Sequence, residues 1–241
     1  MDLVKLAYEL KDNCKDYEEQ ADAFEFLGKC ISHFNKTKSQ NFQDVFALHC
    51  YPSGSRYVEF GACDGKDEGS NTYMLNRLYG WTGILAEPNP VWHNALWENR
   101  PYDHKHKECV WTVSGQMLEF NATDEPQLAT IAGYGQTDEH AVRRQNGKTI
   151  SVNTISLYDL MQKYDSRGGI WDYLSIDTEG SEYDILKQFF DDSKGRYTFG
   201  CVTVEHNFQP IRQDIYNLMI SQGYIRKYEF VSRWDDFYCL K

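Results

Sequence analysis

The chain has 241 residues and a formal net charge of −11, from 25 Lys and Arg against 36 Asp and Glu. A surface with this charge repels nucleic-acid phosphates and anionic membranes, so we expect neither as a partner. The seven cysteines show no CxxC or CxxxC spacing, which argues against a cysteine zinc site or a disulfide framework. The sequence has no signal-peptide pattern and no apolar run of about 18 residues, so we expect a cytoplasmic protein without membrane insertion.

The first 50 residues are predicted to be helical. Apolar residues recur at helical spacing over residues 3–34, which predicts one or two helices, and a further short helix is expected within residues 39–48. A Pro-Ser-Gly-Ser run at residues 52–55 then breaks the chain. We therefore predict a helical segment, residues 1–50, that packs on a domain formed by residues 51–241.

From residue 57 onward, predicted strands and helices alternate. The strands are expected at residues 57–60, 84–86, 109–113, 150–152, 173–176 and 199–204. The helices are expected at residues 73–79, where Ser70, Asn71 and Thr72 supply a cap, and at 91–98, 156–164, 181–190 and 210–222. Two hairpins are predicted, one joining 109–113 to 117–120 and one joining 224–231 to 237–240. This order indicates an α/β fold with a mostly parallel sheet and an antiparallel C-terminal edge.

Residues 121–148 are polar, contain several glycines and show no period. Such a stretch is too long for a simple connection in a compact domain, so we expect a mobile lid or an acceptor-binding loop. Its cations His140, Arg143 and Arg144 are candidates for contact with an anionic or hydroxylated acceptor. The alternative is that they are solvated loop charges.

The first predicted strand ends in a glycine turn at residues 61–65. Gly61 and Gly65 can adopt positive φ and let a ligand approach the backbone closely. Glu59 and Asp64 make the turn acidic, and no GK[ST] triplet follows, which argues against a phosphate-binding loop. An acidic glycine turn suits a cationic, hydroxyl-rich ligand, and S-adenosylmethionine is such a ligand.

Acidic residues follow the later strands at the edge where open α/β sheets bind ligands. Glu87 lies about 20 residues after the glycine turn, where a carboxylate typically binds a ribose hydroxyl pair; a solvated helix-entry acid is the alternative. Asp177 follows the strand at 173–176, and Glu205 and His206 follow the strand at 199–204. These three side chains are candidates for a general base, for ligands of a divalent cation, or for both. For His206 alone, a structural histidine remains an alternative.

Several stretches resemble the FkbM-type S-adenosylmethionine-dependent methyltransferases. The glycine turn is similar to the VDIGAxDG motif of that family, with Glu59 in place of Asp and Cys63 in place of the usual Asn. The segment Asp172 to Leu186, which contains the run Ile-Asp-Thr-Glu-Gly-Ser-Glu, is the most specific match. The resemblance covers about residues 39–240, and its other matching stretches are residues 39–44, 70–88 and 154–160.

The resemblance implies a three-layer, Rossmann-like methyltransferase sheet and S-adenosylmethionine as the cofactor. Members of the family typically methylate oxygens, often on sugars. Mapped onto this sequence, it implies cofactor contacts from Gln40, Glu59, Gly61, Ala62, Asp64, Ser70, Asn71, Thr72, Glu87, Pro88 and Asp177.

We therefore expect an O-methyltransferase that acts on a hydroxyl of a carbohydrate or glycoside. A sugar hydroxyl is a poor nucleophile near neutral pH, so its proton must be removed or the oxygen must bind a metal. Asp177, Glu205 and His206 are the predicted catalytic residues and ligands of Mg²⁺ or Mn²⁺, or of Zn²⁺ if His206 is a ligand. Glu179 is predicted to face the acceptor.

Four alternatives stay open from the sequence. A base-only mechanism needs no metal, and the acceptor could be a protein or a lipid. A third alternative is a non-catalytic module that binds the cofactor and recognises glycans. A nicotinamide oxidoreductase is disfavoured because the turn lacks G-x-G-x-x-G. The oligomeric state is left open.

Overall fold

The computed structural model describes residues 5, 8, 11–67, 69–136, 140–229 and 232–241. Two predicted elements lie partly outside these ranges, namely the helical stretch 3–34 and the strand 224–231. The described strands, in chain order, are β1 (Arg56–Phe60), β2 (Thr82–Ala86), β3 (His104–His106), β4 (Cys109–Trp111), β5 (Met117–Ala122), β6 (Thr130–Ile131), β7 (Lys148–Ser156), β8 (Gly169–Ile176), β9 (Tyr197–Glu205), β10 (Tyr224–Lys227) and β11 (Asp235–Leu240).

Two of the described helices begin with a side-chain cap. The Asp16 side chain accepts from the Glu19 amide before the first helix, and Ser156 accepts from the Asp159 amide before the fifth. Capping of this kind satisfies backbone groups that the first turn leaves unpaired. The helices are α1 (Tyr17–His33), α2 (Gln43–Cys50), α3 (Tyr73–Tyr79), α4 (His93–Asn99), α5 (Leu157–Tyr164), α6 (Glu182–Ser193) and α7 (Ile211–Ser221).

The main sheet has seven strands in the order β10-β11-β9-β8-β1-β2-β3. Neighbouring strands from β9 to β3 run parallel, while β11 is antiparallel to both β9 and β10. The registers Phe60↔Ala86, Phe60↔Ile176 and Ile176↔Val204 bring the ends of four parallel strands to one level. This confirms the mostly parallel α/β sheet with an antiparallel C-terminal hairpin, and it places the residues after these strands at one edge.

Helices cover both faces of the main sheet. Val58, Phe60 and Leu174 are buried on one face, against α5, α6 and α7. Tyr57 and Tyr173 are buried on the other, against α1 to α4. Successive residues of a strand point to opposite faces, so a strand buried on both sides needs a continuous apolar run. The result is a three-layer, Rossmann-like α/β arrangement.

A second, four-stranded sheet in the order β4-β7-β5-β6 lies at residues 109–156. The predicted hairpin between 109–113 and 117–120 is wrong, because β4 pairs in parallel with β7, and β5 pairs antiparallel with β7 and β6. The backbone of Gly115 donates to Thr154, and Thr154 donates to Gln116, so the turn is bonded to β7. The third strand on that side of the main sheet is instead β3, a short His-Lys-His strand.

The predicted loop 121–148 is partly regular structure. A 3₁₀ turn spans Pro126–Leu128 and is followed directly by β6, and Lys148 begins β7. Residues 137–139 lie outside the described part of the chain. None of the helices in the described ranges combines the length and hydrophobicity that a membrane crossing requires.

Candidate active site

A cleft of about 250 Å³ opens at the carboxyl ends of the parallel strands, between the main sheet and the small sheet. Its main-sheet wall is rich in polar groups, and its small-sheet wall is mostly apolar. The first wall includes Gly61, Cys63, Glu87, Asp177, Thr178, Glu179, Glu205 and Asn207, with Gln40 and Trp234 beside them. The second includes Cys109, Val110, Phe120, Leu128, Ala129, Ile131 and His140.

The glycine turn adopts the conformation that its sequence predicts. Gly61 and Gly65 both have φ of 71°, in the left-handed region. The amides of Gly61 and Ala62 donate to the carbonyl of Ala86, at 3.2 and 3.4 Å. A Cβ on Gly61 would collide with the carbonyl oxygen of Asp177. Only glycine therefore lets the turn pack directly against the end of β8.

Gly61→Ala is expected to destabilise the protein by about 2–5 kcal/mol, the sum of left-handed strain and overpacking. Gly115→Ala is the matched control, because Gly115 has φ of 77° but has open space where its Cβ would stand. The control should cost only about 1–2 kcal/mol, from backbone strain alone. Urea unfolding followed by circular dichroism measures both changes. Equal destabilisation of the two variants would contradict the packing argument.

Glu59 does not line the cleft but lies buried behind the turn. Its carboxylate accepts from the Asn71 amide at 2.6 Å, from the Ser70 hydroxyl at 3.3 Å and from the Thr72 hydroxyl. Thr72 is the N-cap of α3, yet it makes no side-chain cap because its hydroxyl donates to Glu59. Burial raises the pKa of Glu59 above its ordinary value. The structure thus places Glu59, Ser70, Asn71 and Thr72 where they support the turn.

Arg100 completes this buried network, and sequence reasoning missed it. The guanidinium donates to Asp103 at 2.8 Å, to the Gly65 carbonyl at 3.1 Å and to the hydroxyls of Tyr57 and Thr72. It also lies 3.9 Å from a Glu59 oxygen. Arg100 is fully buried, so its charge depends on these partners.

Glu87 lies at the end of β2 and faces the cleft together with Pro88. One carboxylate oxygen accepts from the Cys63 amide at 3.0 Å, and the other accepts from the Asn89 amide at 2.7 Å. Burial raises the pKa of Glu87 to about 7. An ionised carboxylate offers about four acceptor positions, so hydroxyl groups in the cleft can still bind it.

The remaining predicted cofactor contacts are divided between the cleft and the back of the turn. Gln40 and Asp177 line the cleft. Ala62 is buried in the core cluster of the α1 to α4 face. The Asp64 side chain accepts from the amides of Lys66 and Asp67, at 2.8 and 2.9 Å, and so shapes the loop.

Three carboxylates converge at the centre of the cleft. Asp177, Glu179 and Glu205 each offer an oxygen within 4.8 Å of the others. The Oε2 atom of Glu205 is buried and has no hydrogen-bond partner among the described residues. Burial, followed by the nearby Asp235 and Glu182 charges, raises the pKa of Asp177 to about 8, and burial raises that of Glu205 well above its ordinary value. Such a cluster binds protons or a cation.

Arg144 contacts this cluster from inside the small-sheet segment. Its guanidinium donates to Glu179 and to the carbonyls of Leu128 and Gly135, at 2.8 and 2.6 Å. The side chain is only 4% exposed, so it holds the segment against the main sheet. The sequence analysis considered Arg144 as a loop cation open to an acceptor, whereas the structure buries it in an ion pair with Glu179.

The other two predicted loop cations lie further out. Arg143 forms an ion pair with Glu125, with both side chains substantially exposed, and it does not line the cleft. His140 does line the cleft, and its Nδ1 lies 3.2 Å from Arg143 Nη1.

The structure does not bring His206 into the carboxylate cluster. Its Nδ1 accepts from the Phe208 amide at 3.0 Å, and its Nε2 lies 3.7 Å from Asp236. Burial lowers the pKa of His206 to about 4. Glu205 and His206 are consecutive at the end of an extended strand and so point in opposite directions. Glu179, predicted as an acceptor contact and as a further candidate for proton removal or metal binding, is the third member of the cluster.

Residues near both ends of the chain support the cleft, and their contacts were not predicted from the sequence. Gln43 Nε2 donates to Asp235 Oδ2 at 2.9 Å, and the Asn41 amide donates to Gln43. Asp235 pairs in register with Glu205 and is buried. Trp234, which precedes it, lines the cleft. Only folding brings these sequence-distant residues together.

The sequence and the fold are similar to those of known proteins. A family model described as Methyltransferase FkbM domain matches residues 59–226. No curated protein matches the sequence. Similar solved structures include an O-methyltransferase from Bacillus cereus in complex with SAH, at 11% identity, 98% coverage of this chain, 97% of the other and a TM-score of 0.43.

Two further solved structures are similar to this chain. The O-methyltransferase TomG from Streptomyces achromogenes, involved in tomaymycin synthesis, has 10% identity, with 97% of this chain and 93% of the other covered and a TM-score of 0.44. A fibrillarin pre-rRNA processing protein from Methanococcus jannaschii has 9% identity and a TM-score of 0.37. That match covers 77% of this chain and 65% of fibrillarin, just under two thirds of the latter.

Proposed function

Because the chain belongs to the FkbM family of methyltransferases, we propose that it methylates a hydroxyl oxygen of a carbohydrate or glycoside. The methyl donor of such an S-adenosylmethionine-dependent methyltransferase must lie beside the acceptor. The observation that carries the proposal is the cluster of Asp177, Glu179 and Glu205, which lies in the same cleft as the glycine turn and Glu87.

The cleft offers groups that fit S-adenosylmethionine. Glu87 has free acceptor positions for the ribose hydroxyls, and Gln40 can bond polar groups of the cofactor. The surrounding carboxylates favour a positively charged sulfonium. The bound cofactor supplies an electrophilic methyl group. The residues of the cleft orient it, and correct orientation of two reactants can contribute up to roughly 7–11 kcal/mol.

The acceptor side suits a sugar. Trp234 lines the cleft and has a large aromatic side chain, and Asn207 and the carboxylates supply hydrogen-bonding groups in the same cleft. A pyranose or furanose ring has apolar faces and hydroxyl edges, so it matches this combination. Asp177 or Glu205 can accept the proton of the reacting hydroxyl once ionised, and the raised pKa of each makes it a stronger base.

The same carboxylates fit a divalent cation. Asp177, Glu179 and Glu205 would hold it, and three carboxylate oxygens favour Mg²⁺ or Mn²⁺. Zn²⁺ is less suited, because His206 lies outside the cluster. A cation there would lower the pKa of a nearby acceptor hydroxyl.

The function is tested by methyl transfer itself. The protein is incubated with methyl-labelled S-adenosylmethionine and, in separate reactions, with glycans, glycosides, proteins and lipids. Label on a glycan or glycoside, with a mass increase of one CH₂ per transfer, is the expected result. Label only on protein or lipid would overturn the carbohydrate assignment, and binding without transfer to any class would favour a non-catalytic module.

Glu87→Gln is expected to weaken S-adenosylmethionine binding by about 1–3 kcal/mol, because the ribose loses a charged acceptor. The pKa of about 7 also predicts a pH effect. Ribose hydroxyls donate to the ionised carboxylate, so raising the pH from about 6 to about 8 should strengthen binding to the wild type. Calorimetry at several pH values measures both effects. An identical pH slope in the variant would show that Glu87 does not contact the ribose.

A further inference from the structure

Two cysteine thiols lie side by side at the end of the sheet remote from the cleft. The Sγ atoms of Cys50 and Cys239 are 3.0 Å apart. Cys50 is the last residue of α2, and Cys239 lies near the end of β11, 189 residues later. Both residues are only partly buried.

The two thiols lie on α2 and β11, and these two elements contact each other near both of their ends. At the cleft end, Gln43 at the start of α2 donates to Asp235 at the start of β11. Seven helical steps span about 10 Å, and four strand steps span about 13 Å, so the two elements have similar lengths. The helix therefore lies along the strand, with an amide–carboxylate bond at one end and the thiol pair at the other.

We propose that Cys50 and Cys239 are a redox modification site and form a disulfide when the protein meets a peroxide. A disulfide needs the two sulfurs about 2.05 Å apart, which from the present separation requires a shift of about 1 Å. Neither thiol, nor Gln43 or Asp235, lies within the family-matched residues 59–226. Neither thiol lines the cleft, so the proposal does not depend on which methyl acceptor the cleft binds.

The chemistry balances with hydrogen peroxide as the oxidant. The sulfur of one cysteine, as thiolate, attacks a peroxide oxygen and breaks the O–O bond, giving a sulfenic acid and, after protonation, water. The sulfur of the second cysteine then attacks the sulfenic sulfur, forms the S–S bond and releases a second water. The two thiols lose two electrons and two protons, and one peroxide is reduced to two waters.

A third thiol, Cys201, also hydrogen-bonds Cys50 and offers a competing pairing. Cys201 lies opposite Cys239 on β9. It is fully buried, and its Sγ donates to the Asp172 carbonyl at 3.2 Å. Hydrogen bonding to Cys50, together with burial, raises the pKa of Cys239, so this sulfur rests as a thiol and can attack the peroxide only in the fraction of molecules in which it has lost its proton.

The full-length protein is reduced, treated with hydrogen peroxide and mapped by mass spectrometry of non-reduced peptides. The free thiols should fall from seven to five, with one cross-linked peptide that contains Cys50 and Cys239. Dithiothreitol should restore all seven. The cross-link should raise Tm by about 5–10 °C, because it closes a long loop in the unfolded chain.

Cys50→Ser and Cys239→Ser should each abolish the cross-link and the rise in Tm. Cys14→Ser is the matched control, since Cys14 is also a partly buried thiol, and it should keep both effects. The peptide map of the wild type decides the proposal even if a variant folds poorly. A cross-link that involves Cys201 or Cys14, or seven free thiols after oxidation, would overturn it.

Discussion

Asp177→Asn and Glu205→Gln are each expected to lower kcat by about 10²–10⁴-fold, while S-adenosylmethionine still binds. Each substitution keeps the side-chain volume and removes the negative charge that accepts a proton or holds a cation. Single-turnover kinetics with labelled cofactor, together with calorimetry of cofactor binding, measures the two quantities separately.

Asp236→Asn is the matched control for these two variants. Asp236 is also buried, but it bonds Arg212 at 2.7 Å and does not line the cleft. Its loss should cost stability and leave kcat near the wild-type value. Full activity in Asp177→Asn would remove the carboxylate cluster from the mechanism altogether.

The same variants distinguish the metal from the base-only mechanism. If a cation is required, chelation abolishes turnover, added Mg²⁺ or Mn²⁺ restores it, and both variants lose Mn²⁺ binding. Because the pKa of Asp177 is about 8, the cation must displace a proton at neutral pH, so Mn²⁺ affinity should rise with pH. If a base alone suffices, chelators have no effect, and high pH partly restores the variants.

Arg100→Met is expected to lower the free energy of unfolding by about 3–5 kcal/mol. The substitution leaves Glu59 and Asp103 buried without their cation. It also removes the Arg100 donor from the Gly65 carbonyl beneath the glycine turn. Methionine has a similar length, so most of the loss reflects the missing charge and hydrogen bonds. Urea unfolding followed by circular dichroism gives the value.

Arg77→Met provides the control, because Arg77 is an exposed arginine on α3. It should change the free energy of unfolding by less than about 0.5 kcal/mol. A small effect at Arg100 would mean that the buried acids are protonated and need no cation. In that case Glu59→Gln would be neutral as well.

Much of the main sheet could be predicted from the sequence because its signals are local. A strand buried on both faces needs an uninterrupted apolar run, and helix α3 was predicted with the bounds that the structure has. The glycine turn was equally predictable, since Gly61 and Gly65 can both adopt positive φ at no steric cost.

The features that were missed depend on non-local contacts. The strand β3 is a short polar His-Lys-His run, and it becomes a strand only because β2 offers an open edge. Pairing of β5 with β7 joins residues about 30 positions apart, which no local pattern encodes. Burial of Arg100 contradicts the usual exposure of arginine and follows from the five oxygen atoms to which its guanidinium donates.

The sequence indicated which residues lie near the candidate site, and the structure changes the direction expected for one of their side chains. Asp177 and Glu205 were expected at adjacent strand ends, and the parallel register does bring them together. Strand alternation sends the next side chain, His206, the other way, while the left-handed turn at Glu179 directs that carboxylate inward. A shift of one residue in strand register reverses the direction of a side chain. The spacing of residues in the sequence does not resolve such a shift.

The apolar wall of the cleft comes from one uninterrupted part of the chain, residues 109–156, whereas the opposite wall is gathered from residues 40 to 234. On the proposed function, the polar wall contacts both the methyl donor and the acceptor, so its residues must stay mutually compatible across the whole sequence. The apolar wall can be replaced in a single recombination event between β3 and α5. Such a graft must keep Arg144, whose ion pair with Glu179 joins the segment to the main sheet. The apolar surface that a bound acceptor meets is therefore inherited as one continuous segment.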